Sequence, residues 1–189
     1  MAKVYEFLAN GFEEVEALAP VDILRRGGVD VKTVSIGDTV WVESAHGVTM
    51  KADLLFDEAG DFGDADMLLL PGGLPGATNL NAHEGVRQAL RRQHDSGRRV
   101  GAICAAPMVL GSVGLLKGKK ATCYPGFEKY LTGATYTATL YQEDGLIITG
   151  EGPAATLPYA YRILGYFVGE DAVRSLQQGM MYTHLMGDK

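Results

Sequence analysis

The run Met67-Leu68-Leu69-Leu70-Pro71-Gly72-Gly73 constrains the fold more than any other part of the chain. An uninterrupted apolar stretch stops abruptly at a proline and two glycines. A strand with one wet face alternates apolar and polar side chains. A strand without alternation is covered on both faces, as a parallel strand is between two helical layers. The other segments fit that frame. Lys3–Ala9, Asp30–Ile36 and Arg99–Ile103 read as further strands. Glu13–Arg26 reads as a helix, with Val15, Leu18, Ala19 and Ile23 at helical spacing and acids in its first turn. Arg25 and Arg26 close it, Gly27-Gly28 stops it, and Pro20 predicts a kink. Gly85–Ser96 and Ala105–Val113 read as helices, and Gly37–Asp57 as short strands and turns holding Trp41 and His46. Lys119–Tyr124, Tyr136–Tyr141 and Leu146–Thr149 read as strands, Ala154–Val168 and Glu170–Gln178 as helices, and Met180–Met186 as an apolar tail. The alternation of strand and helix defines an α/β fold, a mostly parallel central sheet with helices on both faces.

The length, 189 residues, suits one domain spanning residues 1–189. A net charge of −6 and an isoelectric point near 5.2 argue against nucleic-acid and anionic-membrane partners, which need a basic face, and favour a small-molecule partner. No run approaches the roughly 20 apolar residues that span a bilayer. The start of the chain shows no signal-peptide pattern, so the cytoplasm is the expected compartment. Two cysteines, Cys104 and Cys123, make no disulfide framework. The histidines stand at no metal-ligand spacing from a cysteine or from one another, so no metal site is expected.

In open α/β sheets, ligands bind beyond the carboxyl ends of the strands. That directs attention to Asn10–Glu14, Pro71–Gly76, Cys104–Pro107 and Cys123–Gly126. Cys104 ends a buried strand and precedes a helix, with small Ala105 and Ala106 after it. This is the position of a nucleophile elbow, although the strict G-x-S-x-G pattern is absent. Unpaired amides at a helix start predict a lowered thiol pKa. The bland alternative is a packed small hydrophobe. Glu13 and Glu14 are better explained as a solvated acidic first turn, and Glu16, at i+3 from Glu13, shares that face, so spacing alone does not separate it. The glycines of Pro71-Gly72-Gly73 would let backbone amides approach a reacting oxygen, or they form an ordinary turn. His94-Asp95-Ser96 is no triad, because consecutive residues cannot face one another. Gly118-Lys119-Lys120 lacks the rest of a P-loop.

Three ordered motifs resemble one family. They are Leu8-Ala9-Asn10-Gly11-Phe12-Glu13-Glu14-Val15-Glu16, Leu70-Pro71-Gly72-Gly73 and Ala102-Ile103-Cys104-Ala105-Ala106-Pro107. With them the chain resembles the ThiJ/PfpI family, in the branch holding the parkinsonism-associated protein deglycase. The likeness runs nearly end to end and includes Asp144–Thr149 and Gly152-Pro153. The resemblance implies a flavodoxin-like three-layer sandwich and a homodimer. It also implies a reactive Cys104, a protonated Glu16 hydrogen-bonded to its sulfur, and an oxyanion site on the amides of Gly73 and Ala105. A Glu16→Gln substitution is then expected to raise the thiol pKa.

The chain departs from several branches of that family. The peptidase-like members carry a His after the cysteine, where Ala105 stands here. Glutamine amidotransferases carry a late His-x-Glu, and here His184 is followed by Leu185 and Met186. Peptide and glutamine hydrolysis lose their base. Gly72, Tyr124 and His46 are pocket candidates: Tyr124 stands where relatives carry a His, and His46 where an Arg often lies. Glu151 replaces an Arg before Gly152-Pro153. The activity implied is cysteine-dependent, cofactor-free chemistry on 2-oxoaldehydes, with a small aldehyde or a glycated protein or amino acid as partner. The alternative is a redox sensor or chaperone whose Cys104 oxidises to sulfinate.

Overall fold

The protein, described here over residues 1–187 of a computed structural model, is built on one seven-stranded sheet. In chain order the elements begin β1 (Lys3–Leu8), α1 (Glu14–Arg26), β2 (Asp30–Ser35), β3 (Trp41–Glu43), β4 (Thr49–Lys51), β5 (Leu54–Leu55) and β6 (Met67–Leu70). They continue α2 (Gly76–Ala82), α3 (Glu84–Asp95), β7 (Arg99–Ile103), α4 (Pro107–Ser112), β8 (Lys120–Ala121) and β9 (Thr135–Tyr136). The last are β10 (Tyr141–Asp144), β11 (Ile147–Gly150), α5 (Thr156–Leu164), α6 (Glu170–Gly179) and α7 (Tyr182–Leu185). The sheet order is β10-β11-β7-β6-β1-β2-β5, and only the β10–β11 pairing within it is antiparallel.

The apolar run of β6 occupies the place its pattern demands. All of Met67–Leu70 is buried, between β1 and β7. Helices α1 and α5 pack against each other, and α2 contacts both α3 and α4. The core is continuous from Phe7 and Leu24 through Leu69 and Ile103 to Ile163. A smaller cluster of Leu8, Phe12, Ala17, Val42 and Ala52 seats the β3–β4 hairpin beside the end of β1.

Several boundaries differ from the sequence expectation. Helix α1 continues through Pro20, whose missing N–H leaves the carbonyl of Glu16 without its helical donor. The helix expected from Ala105 begins at Pro107 and is six residues long. The strand expected over Lys119–Tyr124 is only Lys120–Ala121, paired with β9 in a separate small sheet. The helix expected over Ala154–Val168 is a 3-10 turn at Pro153–Ala155 followed by α5. The Met180–Met186 tail contains α7. Helix α2 was not foreseen, because Pro75-Gly76 and the polar Thr78, Asn79 and Asn81 read locally as loop.

The chain leaves β1 for β2 on one side and returns to β6 on the other. The carboxyl ends of β1 and β6 therefore diverge, and a crevice opens where the order reverses. The loops after β1, β6 and β7 converge there.

Candidate active site

Cys104 follows β7 directly and holds φ +63°, a left-handed conformation that non-glycine residues rarely adopt. Two bonds hold it there. Its amide donates to Gly150 O at 2.9 Å, and its carbonyl accepts from Tyr124 N at 2.8 Å. The turn presents the sulfur at the end of the sheet, on a residue 8% exposed, and the nearby amides of Gly73 and Ala105 favour its charged form. The elbow expected from the strand-to-helix transition is present.

Packing separates the three acids of α1. Glu13 is the N-cap, its Oε2 accepting from Glu16 N at 2.8 Å. Glu14 turns outward and pairs with His46 Nδ1 at 3.0 Å. Glu16 is fully buried. Its Oε2 accepts from Gly72 N at 2.9 Å, and its Oε1 has no well-aligned partner among the described residues. The thiol of Cys104 is the neighbouring group that favours the charged form of this carboxyl. Gly72 joins the two groups. A Cβ placed on it would lie 2.6 Å from Cys104 Cβ and 2.6 Å from Glu16 Oε2. Gly73 has φ +85°, and a side chain there would enter the backbone of Glu13 and Gly11. Both glycines are required by close approach, and an ordinary turn does not account for them.

Burial pushes the Glu16 carboxyl up to about 7, helped by the charge of Glu13 and opposed by Cys104 and the Gly72 amide. Burial and the adjacent Glu16 also push the Cys104 thiol up, to about 12, against the pull of the Gly73 and Ala105 amides. This corrects the expectation of a lowered thiol pKa. Helix α4 starts three residues after the cysteine and is too short to supply a large dipole field. Desolvation and the carboxylate outweigh two amides.

The predicted effect of Glu16→Gln on the thiol therefore changes sign. Removing the negative charge lowers the midpoint of Cys104 alkylation against pH. A midpoint that rises instead would place the shared proton on Glu16, as the family resemblance implies, and would overturn this assignment.

Of the other candidates, Tyr124 adjoins this centre through its amide bond to the Cys104 carbonyl. Tyr124 is half-exposed and stands over Gly152, whose Cβ position is 3.2 Å from its ring. Cys123 is buried with its thiol pushed up to about 12 by desolvation, and both cysteines are free. His46 is exposed and paired with Glu14, which raises its pKa. Glu13, Glu14 and His46 bring ligand atoms within 4.8 Å of one another, a juxtaposition that a search of histidine and cysteine spacings misses. Those atoms are already engaged in the helix cap and the His46–Glu14 pair, and no metal role is assigned to them.

A cysteine on a strained elbow, beside a buried acid at the switch point of a parallel sheet, defines a class of α/β protein. The DJ-1/PfpI family model matches residues 2–165, and the chain belongs to that family. It is 39% identical to protein DJ-1 homolog B of Arabidopsis thaliana over 99% of its own length and 43% of that protein's. It is 35% identical to a deglycase of Pyrococcus horikoshii, over 70% of this chain and 78% of the other. Among solved structures, oxidised DJ-1 of Toxoplasma gondii superposes with a TM-score of 0.91 at 30% identity, covering 96% of this chain and 98% of that one. The chain thus spans less than half of the Arabidopsis protein. No helix among the described residues is long and apolar enough to cross a membrane.

Proposed function

We propose that this protein is a cysteine-dependent stress-response enzyme acting on 2-oxoaldehydes, of the glutathione-independent glyoxalase or protein-deglycase type. The observation that carries the reading is the approach of Glu16 and Cys104 to the same side of Gly72, whose amide binds the Glu16 carboxyl, with the Gly73 and Ala105 amides favouring a charged sulfur. The deglycase name of the Pyrococcus relative supports it.

A thiol held near 12 is almost fully protonated at neutral pH, so it needs a base at the moment of attack. Glu16, held near 7, is matched to that task. Its carboxylate takes the thiol proton as sulfur adds to the aldehyde carbon of methylglyoxal. The aldehyde C=O opens, its oxygen takes up a proton, and a hemithioacetal forms. Glu16 then moves the proton from the former aldehyde carbon to the ketone carbon, leaving a thioester of lactate. Water cleaves that C–S bond, returning the thiol and releasing lactate. The amides of Gly73 and Ala105 stabilise the oxyanion of the addition steps. All electrons move within the substrate, and the sequence of steps balances without an added oxidant or reductant. When the carbonyl adduct sits on a protein amine or thiol, the Cys104 sulfur displaces that group from the adduct carbon, the departing nitrogen or sulfur takes up the thiol proton, and the same later steps complete a deglycation. Tyr124 and His46 serve as hydrogen-bonding groups. The homodimer belongs with this reading, with Val15 and Leu18, exposed on α1, as its apolar contacts.

The test is conversion of methylglyoxal to lactate without glutathione. Stereospecific turnover is expected, falling at least about 10³-fold in Cys104→Ser and rising with pH through about 7 as Glu16 ionises. Absence of turnover by reduced wild-type protein would remove the reading.

The redox-sensor alternative draws on the same amides, which can hold a sulfinate, and on the oxidised state of the Toxoplasma neighbour. The deglycase name of the Pyrococcus relative favours the enzymatic reading. Selective, saturable oxidation of Cys104 by stoichiometric peroxide, without turnover, would reverse that preference.

A further inference from the structure

A second crevice, of about 330 Å³, opens beside the ends of β1 and β2. Neither Cys104 nor Glu16 lines it. Trp41, the single tryptophan of the chain, forms one wall and is 57% exposed. Its neighbour in the strand, Val42, is buried among Leu8, Phe12 and Ala17. Strand alternation thus holds the indole outward on an anchored hairpin. An exposed tryptophan costs solubility and offers a rigid apolar face.

Asn10 and Asn79 also line it. Each amide is pinned at one end. Asn10 Oδ1 accepts from Glu43 N at 3.0 Å, and Asn79 Nδ2 donates to Asn10 O at 2.9 Å. The backbone partners fix which end of each side chain is oxygen and which is nitrogen. Asn10 is left with its NH2 donors and Asn79 with its carbonyl acceptor, neither used elsewhere among the described residues. Asp38 adds acceptor oxygens and is the one charged group among the described lining residues.

We propose that this crevice is a binding site for a neutral polyhydroxylated ligand, a glycosyl unit stacked on Trp41. A hydroxyl both donates and accepts, so vicinal hydroxyls match an oriented donor beside an oriented acceptor. The C–H face of a sugar ring matches an indole. An anion is disfavoured by Asp38 and the lack of a lining cation, and a purely apolar ligand would leave both amides unpaired. The volume falls in the range of small-ligand sites.

The single tryptophan makes the test direct. Emission of Trp41 in the full chain is followed while methyl glucoside and methyl mannoside are added. These non-reducing glycosides have no free aldehyde to react with Cys104. A saturable shift is expected with at least one glycoside, together with movement of the Asn10 and Asn79 side-chain amide resonances. Asn79→Ala is expected to weaken binding at least tenfold. No saturable response up to about 0.1 M, where even a millimolar site fills, overturns the proposal. A response to tetramethylammonium alone would assign Trp41 and Asp38 to a cation. Emission that follows protein concentration alone would mean that a second copy covers Trp41. Either result also overturns it.

Discussion

Gly72→Ala is expected to destabilise the protein by about 3 kcal/mol and to disrupt the environment of Cys104. The added Cβ would lie 2.6 Å from Cys104 Cβ, 2.6 Å from Glu16 Oε2 and 3.0 Å from Ile103 O. Two of these neighbours belong to a strand end fixed in the sheet, so the carboxyl is the group able to move. Moving it breaks the 2.9 Å bond from Gly72 N and leaves both a buried amide and a buried acid without their partner. For a chain of this length the loss corresponds to roughly 6–12 °C in Tm. Gly97→Ala is the control. Gly97 has φ +74° but nothing within 4 Å of its Cβ position, so it carries backbone strain alone, about 1 kcal/mol. Thermal melts and the rate of Cys104 alkylation check both variants. Equal, mild effects with unchanged alkylation would mean that Cys104 and Glu16 do not meet across Gly72.

Glu16→Gln is expected to stabilise the fold at pH 8 by about 3 kcal/mol while removing most activity. The folded carboxyl is raised from 4.5 to about 7, because burial penalises its charge. The native state therefore holds the proton more tightly than the unfolded chain does. That contribution is fully present below 4.5, is lost as pH rises to about 7, and is constant above. Glutamine never ionises and keeps an oxygen for the Gly72 amide, so the variant escapes the loss. The two proteins should be nearly equal at pH 4 and separate above pH 7. Urea denaturation at pH 4 and pH 8 measures this. A stability difference independent of pH, or a less stable variant at pH 8, would show that Glu16 is not held neutral by burial. The expected pattern is a buried ionisable group retained at a cost to stability because the chemistry needs it.

Much of the architecture was legible in the sequence because strand burial writes itself into local composition. Met67–Leu70 could only be a strand covered on both faces, and Cys104 had to stand at its neighbour's carboxyl end. The elements that went unread depend on distant partners. Helix α2 has polar and glycine residues that favour a loop locally, yet it packs Ala77 and Leu80 into the core between α3 and α4. The strand around Ala121 is short because Asp144 takes the amide of Lys120 and Thr149 takes that of Thr122 through side chains.

The site divides along the same line. The sequence by itself determined the α/β order, the position of Cys104 and the glycines after β6, since each is a property of consecutive residues. Tertiary structure decided which of three neighbouring glutamates faces the sulfur. Successive positions on a helix differ by about 100° of rotation, and only packing against the sheet sets which rotation points inward. It decided the sign of the thiol shift, because desolvation and the Glu16 charge come from segments far apart in sequence. It also set the single tryptophan beside Asn10 and Asn79, residues whose pinned amides meet only where β1, the β3–β4 hairpin and α2 converge.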